Sequence, residues 1–145
     1  MSRDAFVLLP VFLGFFVVVW VAAAWLVALL GGWRELAAVY RGDPMMFQGR
    51  TWSFQSARFR MNTRYNGALI IGVNEQALML RTIAFFRFAH PTLIIPWSDV
   101  TITMEQRFIW RYVVLTFSRV PSVPVKLLEK RARQILPPRL LGGLS

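Results

Sequence analysis

The residues able to do chemistry are few and far apart. His90 is the one histidine, so a nucleophilic triad would have to join it to Ser98 or Ser118 and to Glu75, Asp99 or Glu105. Only Asp99 is near it in sequence, and a structural His-Pro corner, with the imidazole bonded to backbone, explains the same residues. The seven acidic residues contain no pair at i, i+3 or i+4, so no acid–base pair is visible. The absence of cysteine excludes disulfides, thiolate zinc sites and thiol nucleophiles, and a lone histidine makes no metal site. Gly31-Gly32 and Gly142-Gly143 fall at element ends rather than in a phosphate-binding loop. These residues read as a non-enzyme with no catalytic group, metal or cofactor.

What remains is charge. Seventeen Lys+Arg against seven Asp+Glu leave a net charge of +10, a balance that fits anionic lipid or nucleic acid. The candidates for an anionic lipid surface are Arg34, Arg41, Lys126, Lys130, Arg131 and Arg133. Arg58-Phe59-Arg60, Arg64-Tyr65 and the run from Arg107 to Arg111 interleave basic and aromatic residues, as a nucleic-acid-binding module would. Alternation along half-buried strands, with arginines on the wet face, produces the same pattern.

The element that positions everything else is Ala5 to Gly32, which holds no charged residue and one proline, Pro10. As a helix it reaches about 42 Å, more than the roughly 30 Å hydrocarbon thickness of a bilayer. The run is about twice the 7–15 apolar residues of a signal-peptide core, so it reads as an uncleaved span. Arg3 is offset by Asp4 on one side, whereas Arg34, Arg41 and Arg50 follow on the other. The positive-inside rule then places residues 1–4 outside and the rest in the cytoplasm, at the cytoplasmic membrane. Ala24, Ala28 and Gly32 form a strip of small residues along which two spans could self-associate, and Trp33 is placed for the interface.

Trp33, Leu36, Ala37 and Tyr40 have helical spacing, so residues 33–44 read as a short juxtamembrane helix and connector. The period then changes to two. Thr51 to Met61 reads as a strand with a bulge near Gln55 or Ser56, and Asn66-Gly67 as a turn. A hairpin pairs Ala68–Val73 with Ala77–Thr82. Further strands are expected at Leu93–Ile95, Val100–Glu105 and Tyr112–Phe117. Pro121 and Pro124 confine Val120–Val125 to a sheet edge, where a protein partner could add a strand. A helix from Leu127 to Leu136 follows, with Leu128, Ala132 and Ile135 facing Val100, Ile102 and Val113. Pro137 and Pro138 end it, and residues 137–145 read as a tail. The order is six or seven short antiparallel strands and one capping helix, a bent sheet or open barrel.

Between the strands lies an apolar loop containing Phe85, Phe86, Arg87 and Phe88. It either folds back as core or rests in the membrane interface as a second contact.

The hairpin NGALIIGVNEQALML, the segment IIPWSDVTITME and the terminal helix resemble the pleckstrin-homology-like fold in its bacterial, GRAM-type form, over roughly residues 45–136. The His90–Asp99 stretch, HPTLIIPWSD, is similar to one in small bacterial membrane proteins with a single N-terminal span. The resemblance implies a non-catalytic module that binds lipid headgroups or protein segments. No basic phosphoinositide loop matches residue by residue, so that role attaches to no named residue. A protein-interaction subunit of a membrane complex and a membrane-tethered nucleic-acid binder are the alternatives.

Overall fold

The apolar run folds as one helix, α1 (Arg3–Gly31), in a computed structural model that describes residues 3–142. It is long and apolar enough to cross a membrane. The expected tail residues 143–145 and the first two residues lie outside the described part.

Gly32 breaks the helix with a left-handed φ of 87° and opens α2 (Trp33–Tyr40). Seven antiparallel strands follow: β1 (Arg50–Arg58), β2 (Arg64–Val73), β3 (Ala77–Thr82), β4 (Leu93–Pro96), β5 (Val100–Arg107), β6 (Trp110–Phe117) and β7 (Val120–Leu128). Two short helices close the described chain, α3 (Glu129–Ile135) and α4 (Pro138–Leu141). The strand order is β4-β3-β2-β1-β7-β6-β5. β4 and β5 are the two ends of the sheet, yet only Trp97-Ser98-Asp99 separates them in sequence. The sheet must therefore curl until its ends meet at that corner, although no ladder pairs them among the described residues.

Period-two burial builds the concave core: Leu69 and Ile71 on β2, Leu78 and Leu80 on β3, Leu93 and Ile95 on β4, and Val113, Leu115 and Phe117 on β6. Into it goes α2, which buries Trp33, Leu36 and Tyr40. Residues 33–44 were expected outside the domain; instead α2 crosses the sheet's mouth and packs on β4 and β7. The Tyr40 hydroxyl donates to Asp99 Oδ2 at 3.0 Å and accepts from the Arg119 amide at 3.3 Å, pinning α2 to the corner.

Four further expectations need correction. Asn66-Gly67 lies inside β2, where the Gly67 amide donates to Ser56 Oγ at 2.8 Å, while the reversal occurs over Phe59–Thr63. The two irregularities in the β1–β2 register flank Gln55, with Phe54 at a positive φ, so the bulge itself is where expected. β7 is not at an edge of the strand order. It pairs with β1 only through Arg58 and Lys126, however, so the proline-bearing half still has one side free of ladder bonds, as proline requires. The terminal helix starts at Glu129 because Lys126 to Leu128 continue β7, which buries Leu127 and exposes Leu128; Ala132 and Ile135 are buried as expected. Finally, the expected tail contains a helix, α4, whose Leu141 is buried and whose Arg139 donates to the Glu75 carbonyl at 2.7 Å.

Candidate membrane-facing site

The last third of α1 docks along the domain. Ala24, Ala28 and Gly31 are buried there, and a Cβ on Gly31 would lie 3.2 Å from Thr63 Cγ2. Arg60 donates to the Leu29 carbonyl at 3.0 Å and the Leu30 carbonyl at 3.3 Å, satisfying acceptors that a helix end leaves open; it also pairs with Glu35. The strip of Ala24, Ala28 and Gly32, expected on a face for self-association, is thus covered by the chain's own domain. A flat, small-residue face allows close approach to any partner, and Thr63 and Val123 take it here. From Phe6 to Val19 the apolar side chains stay exposed. Arg3 to Val19 rises about 25 Å, close to a hydrocarbon thickness of about 30 Å.

The phenylalanine loop sits where docked and undocked parts of α1 meet. A 3-10 turn over Ala84–Phe86 sends Phe86 onto Trp20, stacked with centroids 5.7 Å apart, and Phe85 beside it at 5.7 Å. Phe86 is half-buried, whereas Phe85 is 66% and Phe88 48% exposed. The loop was expected to be either core or membrane contact, and it divides: Phe86 packs, Phe85 meets Trp20 with most of its ring exposed, and Phe88 is half exposed.

His90 holds the loop in place. Its Nδ1 lies 3.0 Å from the Phe86 carbonyl and its Nε2 2.9 Å from the Tyr65 hydroxyl, with Trp33 edge-on at 5.1 Å. The carbonyl fixes a proton on Nδ1, leaving Nε2 to accept from Tyr65. Burial pushes the His90 imidazole below its usual range and the Tyr65 hydroxyl above its own. The His-Pro corner bonded to backbone is therefore the observed one. Arg87 donates to the Thr82 carbonyl at 3.1 Å, and burial, with the charge of Arg87, lowers the pKa of Arg81.

Two of the six basic candidates meet this loop. Arg34 on α2 and Arg41, the residue just after that helix, line one hollow of about 330 Å3 with Trp25 of α1 and Phe88. The Arg34 guanidinium lies 4.6 Å over the Trp25 ring. Lys126, Lys130, Arg131 and Arg133 lie elsewhere, on β7 and α3. Lys126 pairs with Glu105 at 2.7 Å, Arg133 with Glu129 at 2.9 Å, and Arg131 reaches Gln134. Sequence reasoning missed Trp25, because a tryptophan inside an apolar run carries no sign of which way it points. The tip of the β5–β6 hairpin is more exposed than strand alternation implies: Phe108 and Ile109 are 95% and 84% exposed.

Among the described residues no group of three His, Asp or Glu side chains could hold a metal ion. Comparison of the chain with family models, curated proteins and solved structures returned no match.

Proposed function

We infer that the chain is a membrane-anchored, non-catalytic module of pleckstrin-homology-like fold whose shelf of Trp25, Arg34, Arg41 and Phe88 rests on anionic lipid at the cytoplasmic face. The observation that carries this reading is the assembly of two arginines and two exposed aromatics from three separate elements beside the point where an apolar helix leaves its docked segment. Aromatics favour the headgroup level and each arginine there contributes about 1 kcal/mol toward an anionic surface. The fold assignment is supported by the curled seven-stranded sheet with helices packed on it.

Three measurements test the reading. Alkaline carbonate should leave the protein in the membrane. A reporter fused after Ser145 should be active only in the cytoplasm. In proteoliposomes, spin-labelled phosphatidylglycerol should be immobilised by the protein in preference to phosphatidylcholine, and Arg34→Gln with Arg41→Gln should remove most of that preference; equal immobilisation by the wild type would refute it.

The exposed hairpin tip of Phe108, Ile109 and Trp110 between Arg107 and Arg111 supports a second reading, a protein-interaction subunit of a membrane complex. A stoichiometric partner lost on Phe108→Ser and Ile109→Ser, with lipid preference absent, would favour it over the first.

A further inference from the structure

The seam between α1 and the sheet is not filled along its whole length. Protein interiors pack at a density of about 0.74, which here would require large side chains between Trp20 and Val27. The helix instead presents Ala23 and Ala24, and β2 opposes them with Ala68. Small residues on both walls leave a hollow of about 440 Å3, within the range of ligand sites. Its helix wall extends up to Phe16 and Val19, level with the part of α1 whose side chains are exposed. The polar groups at its rim belong to β2: Arg64 and Asn66. The Tyr65 hydroxyl, also on this wall, is taken by His90. No carboxylate pairs with Arg64 among the described residues.

A hollow lined mostly this way offers water few partners, so it suits an apolar occupant. Its occupant reaches it from beside α1. A second helix is about 10 Å wide, so a single turn of it would take up the whole volume, whereas an alkyl chain fits lengthwise. We propose that this groove binds one acyl chain of an anionic glycerophospholipid, with the Arg64 guanidinium meeting the phosphate. The proposal rests on α1 lying in a bilayer and adds a defined lipid site to the lipid surface already described. The shelf and the groove are different places: Phe88 faces the first and Phe86 walls the second.

The test uses the full chain in phosphatidylcholine nanodiscs doped with phosphatidylglycerol brominated on one acyl chain. Trp20 lines the groove, so the signal is the fluorescence present in wild type and missing in Trp20→Phe. Quenching of that component should saturate at a few per cent of brominated phosphatidylglycerol and be several-fold weaker for brominated phosphatidylcholine. Ala23→Phe, which fills the groove, should abolish the saturable part, and Arg64→Gln should remove the preference for phosphatidylglycerol. Quenching that rises linearly with bromolipid and ignores Ala23→Phe overturns the site. Native mass spectrometry of wild type released from the nanodiscs needs no variant: one retained phospholipid per chain supports the proposal, while a bare chain, or a stoichiometric partner peptide in place of the lipid, overturns it. Extraction by alkaline carbonate would instead refute the anchoring on which the proposal rests.

Discussion

Replacing Gly32 by alanine tests whether α1 is held to the domain as described. Two separate penalties meet at this residue. Its φ of 87° is left-handed, which costs a residue with a Cβ about 1–2 kcal/mol. A Cβ built there would also lie 2.5 and 2.7 Å from the two methyls of Val123. Val123 is fully buried, so it cannot swing aside, and overpacking of this kind costs about 1–3 kcal/mol. Together Gly32→Ala should lose about 2–5 kcal/mol, a large share of the roughly 5–15 kcal/mol available to a domain. At about 3 °C per kcal/mol for a chain of this size, the melting temperature should fall by roughly 6–15 °C. Near-ultraviolet circular dichroism in detergent micelles would record it. Val123→Ala in the same chain should recover the steric part, a coupling of about 1–3 kcal/mol, and leave the backbone part. If Gly32→Ala melts within about 1 °C of wild type, or the two changes simply add, α1 does not turn into the domain at this residue.

Phe86→Ser should lower stability by about 1–3 kcal/mol through lost packing on Trp20, whereas Phe85→Ser should cost less, because the Phe85 ring also meets Trp20 but is mostly exposed. Because the chain has no cysteine, Phe85→Cys can be labelled alone; in liposomes it should resist a water-soluble maleimide that reacts readily with Glu75→Cys, and equal labelling would contradict a membrane contact. The preference for phosphatidylglycerol should weaken as salt rises from about 0.01 to 0.15 M, because the screening length falls from about 30 to 8 Å; a salt-independent preference would place the charge contact in a buried site instead. His90 is held below its ordinary value of 6.5, chiefly by burial. Below pH 6.5 the unfolded chain gains a proton that the folded chain resists, so stability is complete above that pH and declines as it drops toward 5. A melting temperature flat between pH 7.5 and 5.5 would show that the imidazole is not confined by Tyr65 and Phe86.

Legibility in the sequence followed how many placements a pattern allows. An uncharged run of 28 residues forms one long helix, and the hairpin from Ala68 to Thr82 alternates around a turn that pins its register, so both elements stand where the sequence puts them. An eight-residue amphipathic helix has two: Trp33, Leu36 and Tyr40 form the same stripe whether it meets lipid or a sheet, and only the curl of the sheet shows that α2 fills the mouth. Asn66-Gly67 carries the residue types of a turn, but a left-handed glycine serves a bulge equally well. Leu127 and Leu128 fit a helical stripe, yet period two continues one residue further, and a one-residue difference sends Leu128 to solvent. Arg34 and Arg41 flank the helix after the apolar run, and Lys126, Lys130, Arg131 and Arg133 read as the polar face of a terminal helix; the fold gathers the first two and leaves the β7 and α3 residues apart, a separation decided by long-range pairing.

The length of α1 links these observations. A helix that served only to span needs about 20 residues, and α1 has 29. The surplus is the docked segment, whose Ala24 and Ala28 belong to the domain's core and whose Gly31 is buried. Helix and domain are therefore one folding unit: the seam forms only when the sheet has folded and α1 is in place, and α2, entering the core directly from Gly32, adds no slack between them. A flexible linker would let the domain move independently of α1; this connection fixes the one against the other. It is that fixed geometry, rather than net charge, that sets Phe85 against Trp20 and gathers Phe88, Arg34 and Arg41 around Trp25. Inserting two residues after Gly32 should consequently disrupt both the packing of Trp33 and the lipid preference, while the same insertion between Glu75 and Gln76, on an exposed turn, should alter neither.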